Sequence, residues 1–162
     1  MALVIDAEQA DWIGRGAASI TLASSDEAHA PSLGQGIGCR VDATRKRVTV
    51  FMLEPRNAAV IADLRAGRAI AAVFTHSGTM RSLQLKAQSA REVPLEPGDQ
   101  ERITAYIGVM VLAWIQTGVS EAFGHALLAR GPGPIVAFEF EPHVGFDQTP
   151  GPQAGTPLPA TT

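Results

Sequence analysis

The sequence predicts a mainly β fold with peripheral helices, an α+β domain built on a small barrel of six strands. Three observations carry this. Residues 17–88 hold five short segments rich in β-branched and apolar residues, joined by turn-like stretches in meander order. The second of these segments is interrupted by Gly34, Gly36 and Gly38, and glycines inside a strand mark bulges, bends or close approach. Residues 135–141 then alternate once more, after a long amphipathic helix, and supply a late sixth strand.

In order, residues 6–13 suit a short helix ended by Gly14-Arg-Gly16, and residues 17–24 a first strand. Residues 31–41 make the second strand, with barrel curvature the main reading of its glycines, and Asp42-Ala-Thr-Arg45 closes a hairpin. Residues 47–53 form the third strand. Glu54-Pro-Arg-Asn57 leads into a helix over 58–66, with Asn57 as its N-cap, Val60, Ile61 and Leu64 on the buried face and Gly67 at its end. Residues 69–75, the turn at 76–79 and residues 80–88 give the next two strands. Asp99 opens a helix whose apolar positions 103, 107, 110, 111 and 114 recur at helical spacing. Gly118 breaks it, and Ser120 starts a second helix running to Gly131. One domain over residues 1–155 is expected, with 156–162 as a disordered tail.

Composition narrows the function classes. The chain has 162 residues, a net charge of −3 and only two lysines, which is no electrostatic footprint for nucleic acid. No apolar run reaches membrane-span length, and a cytoplasmic protein is the simplest reading. Cys39 is the single cysteine, so no internal disulfide or cysteine metal cluster can form, and it is expected to be a packed thiol sharing a strand face with Ile37 and Val41. His29, His76, His125 and His143 have no ligand spacing, so no metal site is expected. No nucleophile elbow is present, and no general acid or base can be nominated.

One stretch does carry chemistry. A strand ends at Leu53, a helix begins at Ala58, and Arg56 lies between them. Free helical N–H groups, the positive dipole end and a guanidinium together suit an anion such as phosphate. In residues 82–88, Ser82, Gln84, Lys86 and Gln88 share one strand face and Leu83, Leu85 and Ala87 the other. So polar a face lines a ligand or a partner chain, and a symmetric dimer is the commonest way to cover it.

Four segments resemble the FMN-binding split-barrel family, the pyridoxamine 5′-phosphate oxidase-like flavoproteins: Gly38-Cys-Arg-Val-Asp42, Arg47-Val-Thr-Val-Phe-Met52, Arg81-Ser-Leu-Gln-Leu-Lys86 and Phe146-Asp-Gln-Thr-Pro-Gly-Pro-Gln-Ala-Gly155. The resemblance implies a six-stranded split barrel, FMN as cofactor, an oxidoreductase acting on an unidentified small molecule, and a homodimer with the flavin at the subunit interface. It also implies flavin contacts from Phe51 and Met52, from Arg56, Asn57 and Ala58 at the helix entry, and from Thr75, Arg81, Gln84 and Lys86 on the following strands. The chain departs from the family pattern at Pro55-Arg-Asn57, which holds one cation where two are common, and at Ala87, where glycine is frequent. The Arg-Leu-x-Pro ending of true pyridoxamine phosphate oxidases is absent, so vitamin B6 oxidation is not expected. The alternative is a non-catalytic split barrel binding haem, a deazaflavin, another planar ligand or a protein partner.

Overall fold

The computed structural model describes residues 3–16, 18–128 and 133–159. Their order is α1 (Ala7–Gly14), β1 (Ala18–Ser25), β2 (Pro31–Val41), β3 (Val48–Leu53), a 3₁₀ turn (Glu54–Arg56), α2 (Ala58–Arg65), β4 (Ile70–His76), β5 (Ser82–Ala87), β6 (Arg91–Val93), α3 (Asp99–Ile115), α4 (Glu121–Leu128), β7 (Ile135–Phe140), β8 (Val144–Asp147) and β9 (Thr156–Pro157). All strand pairs are antiparallel, in one sheet ordered β6-β7-β3-β2-β1-β4-β5-β8-β9. The fold is thus mixed α+β and dominated by its sheet. Among the described residues it carries nine strands rather than the six expected. The three additions are short and escape a periodicity search: β6 has three residues, β8 four, and β9 two in a proline- and glycine-rich stretch.

The expected tail at 156–162 also differs. Thr156 and Pro157 pair with Asp147 and Phe146, the Leu158 N–H donates to the Gly145 carbonyl at 2.9 Å, and Leu158 packs on the core. Gly145 makes room for it, since a Cβ there would lie 2.6 Å from Leu158 Cδ1. Residues 160–162 lie outside the described residues, as do Ala17 at the first strand's expected start and 129–132 at the expected end of the second late helix.

Alternation sets the two faces. Ile20, Leu22, Val48, Val50, Met52, Ala72, Phe74, Leu83 and Leu85 point into the main core, closed by Val60, Ile61 and Leu64 of α2 and by Tyr106, Met110 and Val111 of α3. Burying Phe74 or Phe138 completely contributes about 1.5–3 kcal/mol each. A smaller cluster of Ile37, Phe51, Ile103 and Ala137 lies on the other side of β3, which is why every residue of β3 is buried.

A bulge between Gly36 and Cys39 explains part of the glycine pattern, and close approach explains the rest. A Cβ on Gly34 would lie 2.6 Å from Val60 Cγ1 and 2.7 Å from Asn57 Oδ1, so glycine there lets α2 sit down on β2. The bulge also separates two residues expected on one face. Cys39 points into the main core, and Ile37 into the smaller cluster.

The β2–β3 hairpin is closed by Asp42, whose Oδ1 accepts from the Lys46 and Arg47 N–H groups, both at 2.9 Å. Partial burial acts to raise its carboxyl, but the Thr44 hydroxyl, these N–H groups and the Arg47 charge prevail and hold it down to about 2. A folded value below the unfolded one stabilises the fold above about pH 4, and this is lost as pH falls through about 2. Asp42→Asn should therefore be less stable than wild type at pH 7, and urea titrations should show the gap closing as pH falls toward 2.

Candidate functional site

Arg56, Asn57, Leu127 and Leu128 line a cleft of about 560 Å³, together with Ser19, Thr21, Leu33 and Gln35 from the outer face of β1 and β2. Among the described residues its lining includes no carboxylate. Asn57 sits where β3 hands over to α2, and its side chain does not cap the helix as the sequence suggested. Instead the buried amide bridges two strands: Oδ1 accepts from the Gln35 N–H at 2.7 Å, and Nδ2 donates to the Leu53 carbonyl at 2.8 Å. The amide thus spans from β2 beside its bulge to the end of β3 and gives a partner to one backbone group on each. One consequence favours anion binding. Among the described residues, the N–H groups of Ala58, Ala59 and Val60 have no protein acceptor, so the start of α2 stays open.

Arg56 is exposed beside this opening and has no carboxylate partner among the described residues. Its guanidinium donates to the Leu127 carbonyl at 2.6 Å and more weakly to the Ala126 carbonyl at 3.5 Å. These are the last carbonyls of α4, where a cation is favoured by the helix dipole. Two of five donors are so engaged, and the rest remain for a ligand.

The other sequence-nominated residues are not gathered around Arg56. Phe51 and Met52 are fully buried, one in the smaller cluster and one in the main core, so neither presents a side chain to the cleft. Ala58 is exposed at the first position of α2. The Thr75 hydroxyl shares a 2.5 Å hydrogen bond with Ser82, across the β4–β5 pair. Arg81 donates to Glu8 at 2.6 Å and stands 5.8 Å from the Trp12 ring, tying α1 to the β4–β5 turn. Gln84 accepts from Gln148 at 3.3 Å, and the Lys86 ammonium stands 5.1 Å over the Phe146 ring. In sheet order β3 and β5 are separated by β2, β1 and β4, up to about 19 Å at ordinary strand spacing. Lys86 lines a different cleft from the one that Arg56 lines. Spacing in the sequence gave no sign of this, because it does not report sheet order.

Thr21, Val73, Gln84 and Phe146 lie in one register row on the outer face of β1, β4, β5 and β8. Their side chains are exposed or half-buried, and the row forms a surface of mixed polarity that meets the cleft at Thr21. Leu127 and Leu128, which wall the cleft from α4, were missed by the sequence reading. Nothing in their local pattern distinguishes them from ordinary helix residues.

Cys39 takes no part in this site. It is 4% exposed and its thiol donates to the Ile13 carbonyl at 3.2 Å. Burial pushes it up to about 12, against a smaller opposing effect of Arg102. A thiol so rarely ionised reacts slowly, so native protein should label with a thiol reagent only on unfolding. Rapid labelling without denaturant would overturn this. Among the described residues no group of three His, Cys, Asp or Glu side chains is placed to hold a metal ion. No helix among them is long and apolar enough to cross a membrane.

Comparison with solved structures identifies the architecture. HupZ from Group A Streptococcus superposes with a TM-score of 0.54 at 16% identity, covering 93% of this chain and 99% of that one. A protein from Lactobacillus delbrueckii, described as a candidate pyridoxamine 5′-phosphate oxidase, gives 0.52 at 12% identity, covering 90% and 99%. No family model and no curated protein matches the chain. The fold is that of the pyridoxamine 5′-phosphate oxidase-like split-barrel proteins, and at these identities the fold is what is shared.

Proposed function

We propose that the chain is an FMN-binding oxidoreductase acting on a small molecule, assembled as a cytoplasmic homodimer. The observation that carries this is the open start of α2 beside Arg56, at the rim of a cleft without carboxylates. A phosphate dianion needs hydrogen-bond donors and positive charge, and this corner supplies both. The donor chemistry at the phosphate end therefore fits the cofactor. Arg56 and the Ala58 and Ala59 N–H groups would hold the phosphate, with Ser19, Thr21 and Gln35 offering polar contacts along the cleft. The row through Thr21, Val73 and Gln84 would support the ring, and a second copy laid over this row would exclude water from it. When bound, the flavin supplies the electron transfer, and the chain supplies position and local charge.

The absorption spectrum of the purified protein, followed by denaturation to release the chromophore, tests the cofactor. Flavin bands and released FMN are expected. A Soret band, or no chromophore together with no binding of added FMN, would sink the reading. Sedimentation at micromolar concentration should return a dimer, and a purely 17.0 kDa species would remove that part of it.

A further inference from the structure

A second cleft lies on the same outer face, at the other end of the strands. It measures about 360 Å³ and is bounded by the end of β1, the start of β4, the end of β5 and the turn before β8. Ala23, Ala69 and Ala71 contribute short side chains to its lining, which also includes Lys86, Gln88 and His143. Among the described residues its lining contains no Asp or Glu, although acidic residues outnumber Lys and Arg by 16 to 13 in the chain.

The charge at its wall belongs, with Arg45, Lys46, Arg56 and Arg102, to the described cations that meet no carboxylate. Arg15, Arg40, Arg47, Arg65, Arg68, Arg81 and Arg91 all meet carboxylates. Lys86 meets none among the described residues; its ammonium rests over the Phe146 ring at 5.1 Å. Its stem is half-buried between Val144 and Ala71 of the neighbouring strands. His143 stands beside it, anchored by its backbone N–H to the Lys86 carbonyl at 3.0 Å, and its ring lies 3.5 Å from the Gln88 amide nitrogen. Glu139 and Glu141 line a neighbouring cleft on the far side of the Gln88–His143 pair, with Glu139 held there by Arg91, while Asp26 follows the lining residue Ser25 and Glu27 is paired with Arg68 beside Ala69. Hydrogen-bond donors, an ammonium without a counter-ion and short apolar side chains are the features of a site for a planar acid.

We propose that this cleft binds a small planar molecule bearing a carboxylate, with Lys86 and the His143–Gln88 pair at the carboxylate and the alanines against the ring. The site is separate from the Arg56 cleft and stands whether or not FMN binds there. Benzoate is a direct probe, with benzamide as its neutral isostere. Titration of the full chain, followed by amide chemical shifts, should show saturable millimolar benzoate binding that moves the signals of Ala71, Lys86 and Gln88. Lys86→Met keeps the stem over Phe146 and removes the charge. It should weaken benzoate about tenfold or more, and benzamide should bind wild type at least about tenfold more weakly than benzoate does. His143→Gln should give a smaller loss. Equal binding of the two probes, no effect of Lys86→Met, absence of saturation, or shifts confined to Leu33, Gln35 and Leu127 would each overturn the proposal. So would a Lys86→Met protein whose only change is weaker self-association, since Lys86 would then serve a carboxylate of a second copy.

Discussion

Replacing Arg56 with alanine is expected to weaken FMN binding roughly ten- to a hundredfold while leaving riboflavin almost unaffected. A charged hydrogen bond of the kind a guanidinium makes to phosphate contributes about 1.5–3 kcal/mol, which converts to that range. The open start of α2 contributes less, on the order of 0.3–1 kcal/mol, so the guanidinium decides the outcome. Riboflavin lacks the phosphate and serves as the internal control. The control matters because Arg56 also holds the end of α4 through the Leu127 carbonyl, and Leu127 walls the same cleft. If the substitution acted only by loosening α4, both flavins would lose affinity together. Titrating FMN and riboflavin against wild type and Arg56→Ala separates these cases. Equal loss for both, or no loss for either, would remove the phosphate from this corner. Lys86→Ala, on the far side of three intervening strands, should not deepen the loss beyond its own separate effect.

The features legible in the sequence were those that local chemistry determines. Val60, Ile61 and Leu64 at helical spacing are the buried residues of α2, and Gly67 follows its end at φ +76°. Of the α3 positions read from spacing, 103, 110 and 111 are buried and 107 and 114 pack half-buried against the core, while Tyr106 beside them is buried as well. Residues whose partners are distant in sequence were read less well. Asn57 has the chemistry of an N-cap, and only the approach of β2, 22 residues earlier, turns its amide toward Gln35. Arg56 could be recognised as a cation at a helix start, but not as the residue that closes the end of α4, 71 residues later. Arg56 and Lys86 looked like members of one site because 30 positions say nothing about sheet order. Strands β8 and β9 were invisible because Gly145, Gly151 and Gly155 interrupt any alternation, and only pairing with β5 and with each other makes them strands.

The Asn57 bridge leads to the second large effect. Asn57→Ala leaves the Gln35 N–H and the Leu53 carbonyl without partners, both within the junction of β2, β3 and α2. Each such group costs about 1–3 kcal/mol when buried, and water can reach the half-buried Gln35 side more easily, so a total loss of about 2–4 kcal/mol is expected. The decisive comparison uses residues that are good helix caps. Asp and Ser are as good as Asn at an N-cap, so a capping role would leave Asn57→Asp and Asn57→Ser close to wild type. As a bridge, neither suffices. Serine is too short to reach both strands, and aspartate places a carboxylate oxygen against the Leu53 carbonyl where Nδ2 now donates at 2.8 Å. Both variants should therefore lose stability in urea or guanidinium titrations at neutral pH, with an unchanged denaturant dependence. The aspartate variant should recover part of its loss in acid, where a protonated carboxyl can again donate. If Asn57→Asp were within about 0.5 kcal/mol of wild type at pH 7, the amide would be acting as a cap, and the open start of α2 on which phosphate binding depends would not exist.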